Sequence, residues 1–194
     1  MRIAVLGTGR VGSTIGAKLV RVGQQVVMGS RSRDNARAAG EGNLRGKVLV
    51  DVANPLDFSK GMPPTLTICN TDSLGEQIQR TFPAAKVVKA LNTMNCFVMV
   101  NPALVPGDHN VFLCGDDADA KTLVTELLVD AFGWKRDNVL DLGGISAARG
   151  TEMLLPLWLR LWGALQNPNI NFHIAVGMTP QAARPEASTA SATG

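Results

Sequence analysis

An α/β fold with a doubly wound parallel sheet is predicted for this chain by three observations. Residues 2–6 (RIAVL) are an apolar run that stops at Gly7, after which Val11, Ile15, Leu19 and Val22 recur at helical spacing. A second apolar run, QQVVMG, follows Gly23, so residues 2–29 have the size of a βαβ unit, whose strands are parallel and whose crossover is right-handed. Four further runs, KVLVDV (47–52), KVVKAL (86–91), NVFLCG (110–115) and NVLDLG (138–143), read as buried strands, and helical patterns alternate with most of them.

The helices follow in order. Ser73 and Glu76 make a capping-box pair that opens a helix with Leu74, Ile78 and Phe82 inward, and Pro83 stops it. Asp116 or Asp117 caps the next helix, where Ala120, Leu123, Leu127 and Ala131 line one face and Gly133 ends it. The last helix covers about 145–165, with a kink expected at Pro156. A final strand holding His173 completes a small C-terminal helical and strand extension. At 194 residues and 45% hydrophobic, the chain has the bulk of one domain, placed at 1–177. Residues 178–194 are Ala, Ser, Thr, Pro and Gly for the most part, too poor in apolar bulk to offset their ordering entropy, and are expected to be disordered.

Composition excludes several function classes. The net charge of +3 and pI near 9.0 are mild and the 19 basic residues are scattered, so no nucleic-acid footprint is present. The most apolar run, MLLPLWLRLWGAL (153–165), is too short to span a bilayer and carries Arg160. Glycines and Arg10 interrupt any signal-peptide core at the N-terminus. Cys69, Cys96 and Cys114 are odd in number and form no C-x-x-C pair, which argues against a disulfide framework and a cysteine-based metal site and for a reducing, cytoplasmic setting.

The chemistry lies in Gly7-Thr8-Gly9-Arg10-Val11-Gly12, a G-x-G-x-x-G that follows a strand and opens a helix. Gly7 permits the tight turn, Gly9 lets a pyrophosphate approach the backbone, and Gly12 lets helix and strand pack closely. The helix N-terminus then offers free N–H groups and a positive dipole end to phosphate. The fold is thus Rossmann-like. An NAD site of this kind places an acid about 20 residues on, at the end of the second strand. Here Gly29 and Ser30 stand at that place, with Arg31 and Arg33 beyond. A hydroxyl and guanidinium groups bind a 2′-phosphate that a carboxylate would repel, so the expected cofactor is NADP(H).

MRIAVLGTGRVG, VVMGSRS, KVVKALNTM, VFLCGDDADAKTLV and TEMLLPLWLRLW together resemble the coenzyme F420-dependent NADP oxidoreductases, over nearly the whole chain to about Val176. The resemblance implies NADP(H) held by the glycine turn and the Ser-Arg pair. It also implies a C-terminal region that completes a groove where a deazaflavin, or a flavin in its place, stacks on the nicotinamide and takes its hydride. Ligands of open parallel sheets bind beyond the carboxyl ends of the strands, so Asn54, Asn92 and Met94 are expected to border the nicotinamide. Asn92 orients that ring or, equally, satisfies its own turn.

Few catalytic side chains are needed for such chemistry, and none is evident. The chain has no Tyr, and its two histidines, His109 and His173, lie in no motif and read as surface or packing residues. Asp51 and Asp141 read as strand-end residues. Met153, Leu154, Leu157, Trp158, Leu161 and Trp162 read as core or as a homodimer interface. The partner expected beyond a second copy is a small-molecule redox co-substrate, and the alternative function is a non-catalytic NADPH sensor.

The chain departs from the resemblance at one place. Between the Ser-Arg pair and GKVLVDVANP the family carries a further strand, a helix and a central strand, whereas this chain has only residues 32–46. That length holds one crossover helix and no more. A natural deletion, a faulty gene model, or a compact sheet with KVLVDV in the seat beside strand one would each account for it. The last is attractive because it leaves no ladder edge unpaired.

Overall fold

The computed structural model describes residues 1–29 and 41–177. Strand β1 (Arg2–Leu6), helix α1 (Arg10–Arg21) and strand β2 (Gln25–Gly29) form the first unit, with β1 and β2 parallel from Arg2 opposite Gln25 to Leu6 opposite Gly29. After one helical turn, α2 (Glu41–Leu44), come β3 (Val48–Asp51) and a small antiparallel pair, β4 (Leu56–Asp57) with β5 (Thr65–Leu66). Helix α3 (Leu74–Thr81) leads to β6 (Lys86–Ala90), and α4 (Cys96–Val100) to β7 (Val111–Cys114). Helix α5 (Ala118–Glu126) runs into a π-helical turn, Leu127–Phe132, before β8 (Val139–Asp141) and the long α6 (Ala148–Leu165).

The capping expectations are met. Ser73 Oγ accepts from the Glu76 amide at 3.1 Å, Asp117 Oδ1 from the Ala120 amide at 2.8 Å, and Gly133 ends α5 and its π turn at φ +87°. The π turn was not expected; of the expected face Ala120 and Ala131 are buried and Leu127 packs against the core, but Leu123 is exposed, and Val124 and Leu128 are buried with them. The final helix begins later than expected, since Ile145–Ala147 is a 3-10 turn; Pro156 lies inside α6. Around His173 there is no strand; Asn110 reaches that segment through its amide N–H to Phe172 O and through its side chain to the Ile174 amide. Residues 178–194 lie outside the described residues.

The sheet also departs from expectation. β1 and β2 stand apart as a two-stranded ribbon, and β3, β6, β7 and β8 form a second sheet in that order. β7 runs antiparallel to β6, whereas β3–β6 and β7–β8 are parallel. Between β6 and β7 the chain forms only the five-residue α4 and a short 3-10 turn, with no long crossover helix. KVLVDV does not move beside strand one. It pairs with β6, with Val48 opposite Lys86 and Asp51 opposite Lys89, and that register brings Asp51 into an ion pair with Lys89. Among the described residues, β1 and β3 each keep one unpaired ladder edge. One apolar cluster nevertheless joins the two sheets: Val5 and Leu19 belong to it with Val88, Ala90 and Val111, and Ile3, Ile15, Val48 and Val50 pack against it. The opposite face of β6, with Val87 and Lys89, meets Cys114, Ile145 and Ala148 under α3 and α6.

Candidate nucleotide site

The turn from β1 into α1 is built as the motif requires. Gly7 has φ +119°, a conformation that a side chain disfavours, and its N–H donates to Gly29 O at 2.8 Å, fixing the turn against β2. A Cβ on Gly12 would lie 2.0 Å from Gly7 O, so only glycine permits this approach of helix to strand. A Cβ on Gly7 or Gly9 would meet no atom within 4 Å: the space above the turn is open. α1 has no side-chain cap at Gly9 and no acid in its first turn, which leaves its leading N–H groups turned to that space. Ser13 Oγ donates to Thr8 O at 3.0 Å and steadies the loop. Thr8, Arg10 and Val11 are exposed on the rim. A pyrophosphate fits this cradle in shape and in charge. Ser30, Arg31 and Arg33 lie outside the described residues.

Helix α4 links the turn to the strand ends. Arg10 sits 6.0 Å over the Phe97 ring and Thr14 Oγ1 donates to Cys96 Sγ at 3.7 Å. Just ahead of α4, Asn54 and Asn92 hold one another: Asn54 Nδ2 donates to Asn92 O at 2.8 Å, and Asn92 Nδ2 to Asn54 Oδ1 at 2.9 Å. Asn92 is buried and Asn54 half-buried. Met94 packs within the main apolar cluster. Leu91, between β6 and Asn92, has φ +65°, a left-handed conformation that is costly for a bulky residue and gathers at functional sites.

Sequence reasoning missed the charges beneath this pair. Lys89 has no exposed side-chain surface and lies 2.7 Å from both Asp51 Oδ2 and Glu152 Oε1. Glu152 also accepts from the Leu74 and Gly75 amides at 2.8 and 3.1 Å, so a residue of α6 occupies the positive end of α3. Asp51, read as a strand-end residue, is one arm of this group. The signal was a Lys in the apolar middle of β6 and a lone Glu on α6.

Near it, Arg149 binds Glu76 through two nitrogens, at 2.6 and 2.9 Å, and holds that carboxyl below its ordinary range. Cys114, behind Lys89, has its thiol pushed up to about 12 by burial and remains protonated. All three cysteines are free. His109 packs edge-on to Trp134 and meets Pro102 O and the Asn171 amide, a packing role. Asp141 pairs with Lys121. Among the described residues no cluster of His, Cys, Asp and Glu could hold a metal, and no helix is long and apolar enough to cross a membrane.

The glycine turn, the helices alternating with mostly parallel strands and the ligand-side strand ends define an α/β protein with the Rossmann-like fold of NADP-binding oxidoreductases. The family of NADP oxidoreductases, coenzyme F420-dependent, matches residues 2–42. A solved structure from Arthrobacter sp. FB24, provisionally assigned as an F420-dependent NADP-reductase, superposes with a TM-score of 0.84 at 46% identity, over 91% of this chain and 100% of that one. This chain belongs to the F420-dependent NADP reductase family. The F420-dependent NADP reductase of Methanocaldococcus jannaschii is 29% identical over 119 residues, 61% of this chain and 52% of that protein. The metalloreductase STEAP3 of Rattus norvegicus is 28% identical over 196 positions, 81% of this chain and 38% of that protein. The chain therefore spans about half, or less, of the length of these two curated relatives. An alignment of 196 positions that uses 81% of 194 residues leaves roughly forty positions of STEAP3 facing gaps.

Proposed function

We propose that this protein is an NADP(H)-dependent oxidoreductase that passes a hydride between NADPH and a small planar acceptor, a deazaflavin of the coenzyme F420 type or a flavin. The observation that carries the reading is the open, uncapped N-terminus of α1 above Gly7 and Gly9, with Gly12 packed against the Gly7 carbonyl. In this reading the first-turn N–H groups and Arg10 take the pyrophosphate, Ser30, Arg31 and Arg33 take the 2′-phosphate, and Asn54, Asn92 and Met94 border the nicotinamide. NADPH, when bound, supplies the hydride. The protein orients the two rings and excludes water, chemistry that asks for few catalytic side chains. The family name and the 46% identical relative support the acceptor class.

The test is nucleotide choice. NADPH is expected to bind about ten- to a hundredfold more tightly than NADH, the worth of a charge-assisted contact of roughly 1.5–3 kcal/mol, and Arg31→Ala to lose most of that gap with NADH unchanged. Calorimetry giving equal affinities would overturn the assignment. Steady-state oxidation of NADPH with coenzyme F420, FMN, FAD and ferric chelates in turn identifies the acceptor. If binding occurs and no acceptor turns over, the protein is an NADPH sensor, a reading favoured by the separation of the β1–β2 ribbon from the second sheet.

The protein works as a homodimer in a reducing, cytoplasmic setting, a placement supported by its three free cysteines. α6 buries Leu155 and Trp158 but turns Met153, Leu157, Trp162 and Leu165 outward, with Leu157 50% and Trp162 40% exposed. Light scattering is expected to give a dimer at micromolar concentration and a monomer for Leu157→Asp. A wild-type monomer would remove the interface.

A further inference from the structure

Lys89 has three ammonium hydrogens and three acceptors: Asp51 Oδ2 and Glu152 Oε1, both at 2.7 Å, and Ala53 O at 2.6 Å. Its donors are used up, so it has none to offer a ligand. The carboxylates are engaged as well, Asp51 Oδ1 by the Ala53 amide at 3.0 Å and Glu152 by the first amides of α3. Buried ion pairs are weak devices for stability alone, since apolar side chains of the same shape often serve as well. What distinguishes this group is its aim. Lys89 grips the Ala53 carbonyl, Asp51 grips the Ala53 amide, and the next residue is Asn54.

From Asn54 the chain of contacts is direct. Its amide grips Asn92, two residues past the end of β6, and the left-handed turn at Leu91 swings Asn92 back over it. The pair itself leaves one N–H of each amide and Asn92 Oδ1 unused. Those are the groups that a nicotinamide carboxamide could engage.

We propose that Lys89 is a positioning residue: through Asp51 and Ala53 it sets the Asn54–Asn92 pair at the strand ends, and through Glu152 it ties that setting to the seating of α6. This deepens the nucleotide reading and rests on it for its kinetic consequence alone.

The experiment uses the full ligand-free chain labelled with 15N, with side-chain amide signals assigned by single substitution. In Lys89→Met the Asn54 and Asn92 amide signals are expected to move to free-amide positions and exchange at least tenfold faster. The amides of Asn95, held by Asn169, and Asn171, held by His109, stay where they are. Lys89→Met/Glu152→Gln, which removes one charge of each sign, repeats the test if the single variant does not fold. In the kinetic arm, kcat with NADPH falls at least tenfold. The Kd for 2′-phospho-ADP-ribose, which ends short of the nicotinamide, stays within twofold. Unmoved Asn54 and Asn92 signals in a folded variant, a common shift of all four amides, or failure of both variants to fold would make Lys89 merely structural and overturn the proposal. Absence of NADPH turnover in the wild type, with the amide response intact, would instead sink the functional reading and leave the positioning role standing.

Discussion

The phosphate end and the ring end of the candidate site are built in opposite ways. The first is local: β1, the glycine turn, α1 and β2 lie within residues 2–29, and their ribbon leaves Leu6 60% and Val27 70% exposed. The second is distributed: Asp51 with Asn54, Lys89 with Asn92, and Glu152 come from three places in the chain, and all but the half-buried Asn54 are almost out of contact with water. Anion recognition at a helix N-terminus needs only a strand, a turn and a helix, so it forms even where the sheet around it is incomplete. Orienting a ring needs side chains fixed to fractions of an ångström, and that takes a packed and hydrogen-bonded surround.

This contrast is broken most sharply at two glycines of one motif. Gly12→Ala places a methyl 2.0 Å from Gly7 O, so the turn opens. The expected cost is about 1–3 kcal/mol of stability with loss of NADPH binding. Gly9→Ala adds a methyl where nothing lies within 4 Å. Its melting behaviour is expected to match wild type to within about 0.5 kcal/mol, while NADPH affinity falls about tenfold or more. Thermal melts beside calorimetry separate the two, and normal NADPH binding by Gly9→Ala would move the phosphates elsewhere.

The edges that β1 and β3 leave unpaired among the described residues sharpen the comparison from the other side. A strand and helix inserted between Gly40 and Asn43 are expected to raise turnover about tenfold and to change the Kd for NADPH by less than about threefold, because they add to the ring end and leave the phosphate end alone. The unaltered chain is expected to bind NADP+ and 2′-phospho-ADP-ribose with similar affinity. Rapid turnover by the unaltered chain, with strong preference for the intact dinucleotide, would mean that the gap costs nothing.

The smallest effect concerns acid. Arg149 lowers the Glu76 pKa below its ordinary 4.5, so the pair stabilises the fold above that value, and the stabilisation is lost as pH falls from 4.5 through the lower folded value. Glu76→Gln keeps the capping box but not the charge. It is expected to melt below wild type at pH 7, with the difference closing on acidification. A gap that persists unchanged to pH 3 would show that the ion pair is not its source.

The features legible in the sequence were those with short reach. The glycine turn, the Ser73–Glu76 box and the left-handed Gly133 each depend on residues a few positions apart, and each stands where expected. Strand positions were legible from their apolar runs, but their partners were not: a run such as KVLVDV carries no mark of which edge it will choose. The pairing it took sets Asp51 opposite Lys89, a contact between residues 38 apart that no local pattern announces. The antiparallel run of β7 was likewise not marked in its own apolar stretch. The ring-end pair was half legible, since strand-end logic found Asn54 and Asn92 but not what holds them.

Glu152 has a consequence for how this chain is made. It is synthesised 63 residues after Lys89. At ribosomal rates of about 5–20 residues per second, Lys89 waits roughly 3–13 seconds for its second counter-charge, and the start of α3, 78 residues before Glu152, roughly 4–16 seconds for the carboxylate at its head. Through that interval the ammonium keeps its water, and β6 cannot close under α3 and α6. The nascent chain can finish its first βαβ unit early. Its centre is sealed only once Glu152 has left the ribosome, so products truncated before it would carry an open, hydrated middle that quality-control proteases can recognise.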